Sequence, residues 1–259
     1  MNIDPVPTIR LNDGHAIPQL GFGVFQIPPD ETAQAVQLAL EAGYRHLDTA
    51  EMYANERGVG QGVRASGLDR ADVFITSKLN NGAHRPDDAR RAFERTLSEL
   101  GSDYVDLFLI HWPLPTLYHG DFVSTWQALE EFHRDGRARS IGVSNFTVEH
   151  LERLLAETDV VPAVNQIELH PYLLNAELRE YGEEHGIATE AWSPIAKGAA
   201  LERGSNVFPK STTPARIAEN FALFDFRLAP DDIDAIAALD RGEAGRTGPN
   251  PDAHVHVPA

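Results

Sequence analysis

The sequence of 259 residues contains no cysteine. Disulfide bonds, thiolate nucleophiles and cysteine-ligated metal ions are therefore excluded. Basic residues are also scarce, since 22 Lys and Arg stand against 39 Asp and Glu and leave a formal net charge of −17. Such an acidic chain repels phosphate backbones and anionic lipid surfaces, so we expect neither nucleic acid nor a membrane as a partner.

Long apolar runs are missing as well. No stretch approaches the roughly 20 apolar residues that a membrane-spanning helix needs. Residues 1–10 carry Pro5 and Pro7 in place of the apolar core of a signal peptide, so we expect a cytoplasmic protein. No low-complexity linker or charge block divides the chain, so a single domain over residues 1–259 is expected. We also expect a monomer.

What recurs along the chain is a short apolar run followed by a segment with helical spacing. In these segments, Asp30 and Thr147 are placed to cap helices and Pro86 to begin one. Gly43 and Gly101 are placed to end two of them. The apolar runs are residues 17–25, 44–49, 73–79, 105–112, 140–144, 164–169, 187–194 and 207–210.

Eight strand-like runs joined by helical crossovers predict an α/β protein with a parallel sheet, and eight strands close a (β/α)8 TIM barrel. Before the first helix, residues 8–11 and 16–17 flank Asn12-Asp13-Gly14, which is a strong hairpin turn signal. We expect this N-terminal β-hairpin to cover the bottom of the barrel.

The common phosphate and nucleophile motifs are absent or incomplete. There is no P-loop, and Gly21-Phe22-Gly23 is followed by Gln26 where a Rossmann fingerprint needs its third glycine. Residues 142–146 begin like a nucleophile elbow but lack the closing glycine. His254 and His256 could bind a metal ion, but a solvated tail is the simpler interpretation, so no metal site is predicted.

Polar side chains stand where three successive apolar runs end. These residues are Asp48, Lys78 and His111, and Tyr53 follows Asp48 in the next loop. In a barrel, such positions face one another across the C-terminal mouth, where barrel chemistry takes place. Each residue alone is more simply a hydrogen-bonded polar group at a strand end, because an unpaired buried charge is unfavourable. Three of them on neighbouring strands favour a catalytic site.

These four residue types fit a single reaction. Tyrosine has a pKa of about 10 and is a poor acid at neutral pH unless a nearby cation lowers that value. Lys78 beside the Tyr53 hydroxyl would do so, with Asp48 keeping Lys78 charged. A neutral His111 could align a carbonyl oxygen. The set delivers a proton but supplies no electrons, so a cofactor must donate the hydride.

Several blocks of the sequence together resemble the aldo-keto reductase family, and most closely its bacterial 2,5-diketo-D-gluconate reductase branch. They cover nearly the whole chain in order, and their combination is highly specific. The blocks are residues 43–50 (GYRHLDTA) with 53–56 (YANE), 75–79 (ITSKL), 110–113 (IHWP), 141–146 (IGVSNF), 164–171 (VNQIELHP) and 208–211 (FPKS) with 216–220 (RIAEN).

The resemblance implies NADPH-dependent reduction of aldehydes and ketones, including diketo sugar acids, to alcohols. It makes Tyr53 the general acid, with Lys78, Asp48 and His111 completing a tetrad. It assigns Phe25, Asn80 and Trp112 to the substrate pocket. The residues that it assigns to the cofactor are Ser144, Asn145 and Gln166 for the nicotinamide carboxamide, Trp192 and the adjacent Ser193 for the ring, Lys210, Ser211 and Arg216 for the 2′-phosphate, and Glu219 and Asn220 for adenine.

Two features depart from the family pattern. Family members often carry tryptophan where this chain has Asn80, so we expect a more polar or roomier pocket. Residues 196–206 alone connect the seventh and eighth runs, which is shorter than the dozen or so residues usual for a parallel crossover. We therefore predict that the outer helix between these strands is missing, that the connection is extended, and that the cofactor cleft is more open.

Two alternative functions remain open from the sequence. A cofactor-binding regulatory barrel with little turnover is favoured by the short connection and opposed by the complete tetrad. A barrel hydrolase that uses Glu168 and His170 would need no nicotinamide. Carbonyl-dependent NADPH oxidation separates the first alternative from a reductase, and NADPH binding argues against the second.

Overall fold

Eight strands form one parallel sheet whose two edges meet. They are β3 (Phe22–Gly23), β4 (His46–Asp48), β5 (Phe74–Leu79), β6 (Val105–Ile110), β7 (Ala138–Ser144), β8 (Val164–Glu168), β9 (Ala188–Trp192) and β10 (Asn206–Val207). The computed structural model describes residues 6–192, 201, 204–224 and 227–257, and its strands follow chain order around the sheet. At the seam, the Gly21 amide donates to the Val207 carbonyl at 2.8 Å and the Val207 amide to the Gln19 carbonyl at 3.0 Å. The predicted (β/α)8 barrel is confirmed.

Helices cover the outside of the sheet. They are α1 (Pro29–Ala42), α2 (Glu56–Ser66), α3 (Pro86–Leu100), α4 (Val123–Arg134), α5 (Val148–Glu157), α6 (Ala176–Glu184), α7 (Pro214–Phe221) and α8 (Pro230–Ala237). Gly43 and Gly101 follow α1 and α3 with φ of 111° and 62°, a left-handed backbone that glycine adopts without strain. Thr147 caps α5 as predicted. The predicted Asp30 cap is wrong, because α1 already begins at Pro29 and Asp30 lies in its first turn.

The N-terminal hairpin covers the bottom of the barrel, as predicted. Its strands β1 (Thr8–Arg10) and β2 (Ala16–Pro18) pair in antiparallel fashion. Leu11 and Ile17 are buried against Leu107 and Val164 inside the lower end of the barrel. The apolar run 17–25, predicted as one strand, is divided between β2 and β3. The Gln19 amide still donates to the Pro7 carbonyl at 2.8 Å, but Pro7 has no amide hydrogen to give in return, and the Gln19 carbonyl accepts from Val207 on β10 instead.

Aromatic side chains fill the space between sheet and helices on one side of the barrel. Phe93 on α3 lies 4.7 Å from Phe108 on β6 and 4.2 Å from Phe132 on α4, measured between ring centres. Burial of such a side chain contributes roughly 1.5–3 kcal/mol. This packing holds β6 rigidly, and the end of β6 is where the site described below begins.

Two further predictions concern membrane-spanning helices and the connection between the seventh and eighth strands. Within the described residues, no helix has the length and apolar character needed to cross a membrane. Of the predicted short connection at residues 196–206, residues 196–200 and 202–203 lie outside the described residues. Leu201 within it is buried, and its carbonyl accepts a hydrogen bond from the Gln19 side chain at 2.8 Å.

Candidate active site

The C-terminal ends of β4, β5 and β6 bring the predicted polar residues together. Asp48 is the last residue of β4, Lys78 lies near the end of β5, and His111 directly follows β6. Tyr53 ends a short 3₁₀ helix, Glu51–Tyr53, in the loop after β4. Because parallel strands end at the same rim, residues that are distant in sequence become neighbours at the mouth of the barrel.

Lys78 and Asp48 form a buried ion pair at the centre of this group. The Lys78 Nζ donates to Asp48 Oδ1 at 2.7 Å and to Oδ2 at 2.8 Å, and to the Thr49 carbonyl at 2.9 Å. The Lys78 side chain has no exposed surface and that of Asp48 is 4% exposed. Burial lowers the pKa of Lys78, but the charge and hydrogen bonds of Asp48 outweigh it and raise the pKa above the usual value. Lys78 therefore stays an ammonium ion.

Tyr53 lies above this ion pair and between two other rings. Its ring centre is 5.2 Å from Lys78 Nζ, 5.7 Å from the His111 ring and 4.9 Å from the Phe25 ring. Burial raises the pKa of Tyr53, while the charge of Lys78 and a hydrogen bond with it act in the opposite direction. The prediction that Lys78 brings this pKa below its ordinary value is wrong, because burial of the phenol has the larger effect. Lys78 limits the rise.

His111 is held as a neutral imidazole, as the sequence predicts. Burial, aided by the positive charge of Lys78, lowers its pKa well below the usual value. Asn145 fixes the backbone here, since its side-chain amide donates to the His111 carbonyl at 2.9 Å. The His111 Nδ1 has no hydrogen-bond partner among the described residues. A neutral ring beside Tyr53 can therefore take part in aligning a polar ligand atom.

The residues assigned to the nicotinamide carboxamide form one hydrogen-bonded group beside the tetrad. Ser144 donates to the Gln166 carbonyl at 2.9 Å, and Asn145 donates to Ser144 Oγ at 3.0 Å. Trp192, half-buried at the end of β9, donates from Nε1 to Asn145 Oδ1 at 2.9 Å. The Gln166 amide reaches Asp48 Oδ2 at 2.9 Å. Hydroxyl, amide and indole groups thus line the mouth next to Tyr53, a donor and acceptor set that fits a carboxamide on an aromatic ring.

The residues assigned to the adenosine end lie behind β10, around the start of α7. Lys210 and Arg216 are exposed, and neither has a carboxylate partner among the described residues. Ser211 accepts a hydrogen bond from the Thr213 amide at 3.1 Å, just before the N-terminus of α7. Two basic groups beside a helix N-terminus fit a phosphate. Glu219 and Asn220 lie farther along α7, and Ser193 lies outside the described residues.

The substrate side of the rim contains the three residues predicted for the substrate pocket. It also contains His254 and His256, which were not predicted to lie there. Phe25 is exposed, and Asn80 turns its Oδ1 to the Gly82 amide at 2.8 Å, so it caps a short turn. Trp112 is covered by His254, with ring centres 4.1 Å apart. The His256 carbonyl accepts from Asn81 Nδ2 at 2.8 Å. Val255 and His256 are exposed, in line with the interpretation of residues 254–256 as a solvated tail, but Trp112 and Asn81 hold the segment against the rim.

Glu168 and His170, the candidate hydrolytic pair, act on the C-terminal segment instead. The Glu168 carboxylate accepts from His170 Nε2 at 3.0 Å, from the Thr247 amide at 2.7 Å and from the Gly248 amide at 3.0 Å. With its acceptor positions filled, Glu168 fastens residues 247–248 to the barrel and is not free to act as a base. Among the described residues, no group of three or more His, Asp or Glu side chains is arranged to hold a metal ion.

Comparison with known proteins identifies relatives that match almost the whole chain. The model of the aldo/keto reductase family matches residues 19–210. An aldo-keto reductase of Mycobacterium sp. (strain JLS) is 46% identical over 270 residues, covering 95% of this chain and 96% of that protein. Methylglyoxal reductase DkgA of Escherichia coli (strain K12) is 43% identical over 272 residues, covering 94% and 96%. A crystal structure of a Gox0644 variant in complex with NADPH matches with a TM-score of 0.92 and 42% identity, over 98% of this chain and all of that one (100%).

The fold, the buried Lys78–Asp48 pair and these matches lead to one class. The chain belongs to the aldo/keto reductase family and is an oxidoreductase of that family. The cofactor-bound structure among its neighbours indicates a nicotinamide cofactor.

Proposed function

We propose that this protein reduces aldehydes and ketones to alcohols with NADPH, and that Tyr53 gives the proton to the carbonyl oxygen. The observation that carries the proposal is the position of the Lys78 ammonium, bound to Asp48 and 5.2 Å from the Tyr53 ring centre, with a neutral His111 ring on the other side of Tyr53. NADPH supplies the hydride when it is bound.

In this mechanism, each residue of the tetrad has a separate task. Tyr53 keeps its proton until the substrate oxygen gains negative charge, because burial raises its pKa. The Lys78 charge then stabilises the phenolate that is left, and Asp48 keeps Lys78 oriented and charged. His111 donates to the carbonyl oxygen as a neutral imidazole, which places that oxygen near the Tyr53 hydroxyl. A proton delivered in this way accelerates a reaction by about 10²–10⁴.

The cofactor residues are proposed by the same reasoning. Ser144, Asn145 and Gln166 would hold the carboxamide, with the ring stacked on Trp192 and Ser193 adjacent to it. Residues behind β10 would hold the adenosine part of the cofactor. Two exposed basic residues there, on an acidic protein, support a 2′-phosphate. The residues assigned to this part are Lys210, Ser211 and Arg216 for the phosphate, and Glu219 and Asn220 for adenine.

For the substrate, we propose small dicarbonyl compounds and diketo sugar acids. The similarity to methylglyoxal reductase DkgA supports the first group. Phe25 supplies apolar surface beside Tyr53, and Trp112 lies under His254. The half-buried Asn80 occupies the position after Leu79 where relatives often have tryptophan. The expectations of a single domain, a monomer and a cytoplasmic location remain predictions, and sedimentation of the purified protein tests the second of them.

The test is NADPH oxidation in the presence of methylglyoxal, simple aldehydes, ketones and diketo sugar acids, combined with a titration of tryptophan fluorescence by NADPH. Carbonyl-dependent oxidation is the expected result. Binding of NADPH without turnover of any carbonyl would instead support a regulatory barrel. No binding of NADPH at all would contradict both functions.

A further inference from the structure

A second buried carboxyl group, Glu190, lies beneath the catalytic residues. Glu190 is on β9, its side chain has no exposed surface, and it stands opposite Gln166 in the ladder between β8 and β9. The Gln166 Nε2 donates to Glu190 Oε2 at 3.1 Å and to Asp48 Oδ2 at 2.9 Å. Because an amide nitrogen carries two hydrogens, Gln166 uses both of them to bridge the two carboxyl groups. Glu190 is thus linked through one side chain to the partner of Lys78.

Few groups around Glu190 could stabilise an ionised carboxylate. On β4, His46 Nε2 lies 4.0 Å from Oε1 and is engaged with Thr76 Oγ1 at 2.9 Å. On β5, Lys78 is already bound to Asp48. On β10, the facing residue is the uncharged Asn206. Glu190 Oε1 has no hydrogen-bond partner among the described residues.

A neutral carboxylic acid is therefore the favoured form. A buried carboxylate with a single donor carries a large desolvation penalty. In agreement with this, burial and the nearby charge of Asp48 raise the pKa of Glu190 to about 8. Burial lowers the pKa of His46 to about 3, so His46 does not take up the proton in its place.

The charge state of Glu190 affects how easily Tyr53 loses its proton. While Glu190 is neutral, Asp48 is the only carboxylate paired with Lys78 among the described residues, and the pair is electrically balanced. A second negative charge would act on Asp48 and Lys78 together, would pull the shared Gln166 amide toward Glu190, and would make loss of the Tyr53 proton harder.

We propose that Glu190 is a positioning residue of the reductase, whose neutral carboxyl group holds the Gln166 amide on Asp48 and keeps the Lys78–Asp48 pair balanced under Tyr53. This role rests on the function proposed above. Glu190 touches neither substrate nor cofactor in this role and acts through Gln166 and Asp48.

The test compares E190Q and E190L over pH 5.5–9.5, with kcat and KM measured separately at saturating NADPH. E190L leaves a Gln166 hydrogen without an acceptor, and a lost hydrogen bond of this kind corresponds to a fall in kcat of roughly tenfold. E190Q keeps an acceptor and should recover most of that loss. In the wild type, we expect kcat to fall at alkaline pH, near the pKa of Glu190. In E190Q, this fall should occur at a higher pH.

E56Q is the matched control. Glu56 on α2 is also a buried carboxyl group with a pKa raised by burial to about 7, but it contacts Ser77 on the outer side of β5. E56Q should leave the pH profile of reduction as it is in the wild type. Equal profiles for wild type and E190Q, or an equal shift in E56Q, would overturn the positioning role.

A measurement without turnover keeps the two proposals apart. The pKa of Glu190 is raised on folding, so its contribution to stability is complete below about pH 4.5 and is lost as the pH rises through about 8. Between about pH 4.5 and 8, the free energy of unfolding should therefore fall more in the wild-type protein than in E190Q. If the free energy of unfolding depends on pH equally in the two proteins, Glu190 is not a neutral carboxyl group in the folded state. If wild-type protein reduces no carbonyl, the proposed function fails and the positioning role fails with it.

Discussion

The barrel carries a tyrosine beside an aspartate and a cation at both of its ends. At the bottom, Asp106 accepts from Arg70 at 2.8 Å and from Arg139 at 3.1 Å. The two guanidinium groups lie 4.2 Å and 3.9 Å from the centre of the Tyr104 ring. The Ile75 amide also donates to Asp106 at 3.0 Å, so the carboxylate is surrounded by donors.

At the mouth, the same residue types are arranged differently. A single ammonium group, Lys78, serves both Asp48 and Tyr53, and its side chain is fully buried. The arginines at the bottom are 23% and 40% exposed. Water therefore screens the charges at the bottom, whereas those at the mouth act in a region of low dielectric.

The difference bears on which of the two groups can take part in proton transfer. Arginine does not release its proton in proteins, so neither guanidinium group at the bottom can exchange one with Tyr104. Lysine in a dry environment changes the pKa of the tyrosine beside it, as Tyr53 shows. The burial of the cation, rather than the residue types, therefore distinguishes the two ends.

The largest effect expected is on proton transfer. Y53F removes one hydroxyl group, and kcat for carbonyl reduction should fall by about 10²–10⁴ while NADPH still quenches tryptophan fluorescence. Y104F, the same change at the bottom of the barrel, should leave turnover unchanged. Near-normal turnover by Y53F would remove Tyr53 from its proposed task.

The next effect is on stability. K78M leaves Asp48 buried without its cation, and the free energy of unfolding should fall by roughly 3–5 kcal/mol. R139M removes one of two half-exposed arginines from Asp106, and the loss should stay within about 1 kcal/mol. Urea unfolding of both variants measures the difference. Equal losses would show that the two ends do not differ in the way that burial indicates.

A smaller effect is expected on cofactor choice. If Arg216 contacts the 2′-phosphate, its charged hydrogen bonds are worth roughly 1.5–3 kcal/mol, and R216A should weaken NADPH binding by about one to two decades. NADH binding should hardly change. R134A removes an exposed arginine in the last turn of α4 and serves as the control. A similar loss for NADPH and NADH would assign Arg216 to the fold.

The smallest effect concerns the substrate rim. H254A removes the ring that covers Trp112, and such aromatic pairs are worth about 0.5–1.5 kcal/mol, so KM for carbonyl substrates should change by roughly two- to tenfold. The dissociation constant of NADPH should stay the same. H185A removes a histidine stacked at the same 4.1 Å on Tyr181, outside the mouth, and should alter neither constant. An equal effect of both variants would argue against a role for His254 at the rim.

The residues at strand ends could be identified from sequence because their signal is local. Asp48, Lys78 and His111 each follow an apolar run, and the rule that parallel strands share a rim then brings them together. The hairpin and the helix ends at Gly43 and Gly101 were equally accessible, since they depend on backbone preferences of single residues.

Glu190 and His254 gave no comparable signal. A single glutamate in the run 187–194 has the same appearance whether it faces a helix or the barrel interior, although its opposition to Gln166 could have been deduced once the strands were aligned. His254 contacts Trp112 across 142 positions of sequence, given by their residue numbers, and no periodicity reports such a contact.

The sequence by itself predicted the barrel and its strand order, because periodicity and turn residues act over a few neighbouring positions. Its motif blocks pointed to the family, and strand-end polarity placed Asp48, Lys78 and His111 at one rim. Only the tertiary structure decided the protonation of these groups. The pKa of Tyr53 rises, that of Lys78 stays high and that of Glu190 reaches about 8 because of what surrounds each group. Desolvation depends on every atom packed around a side chain, and those atoms come from strands far apart in the sequence.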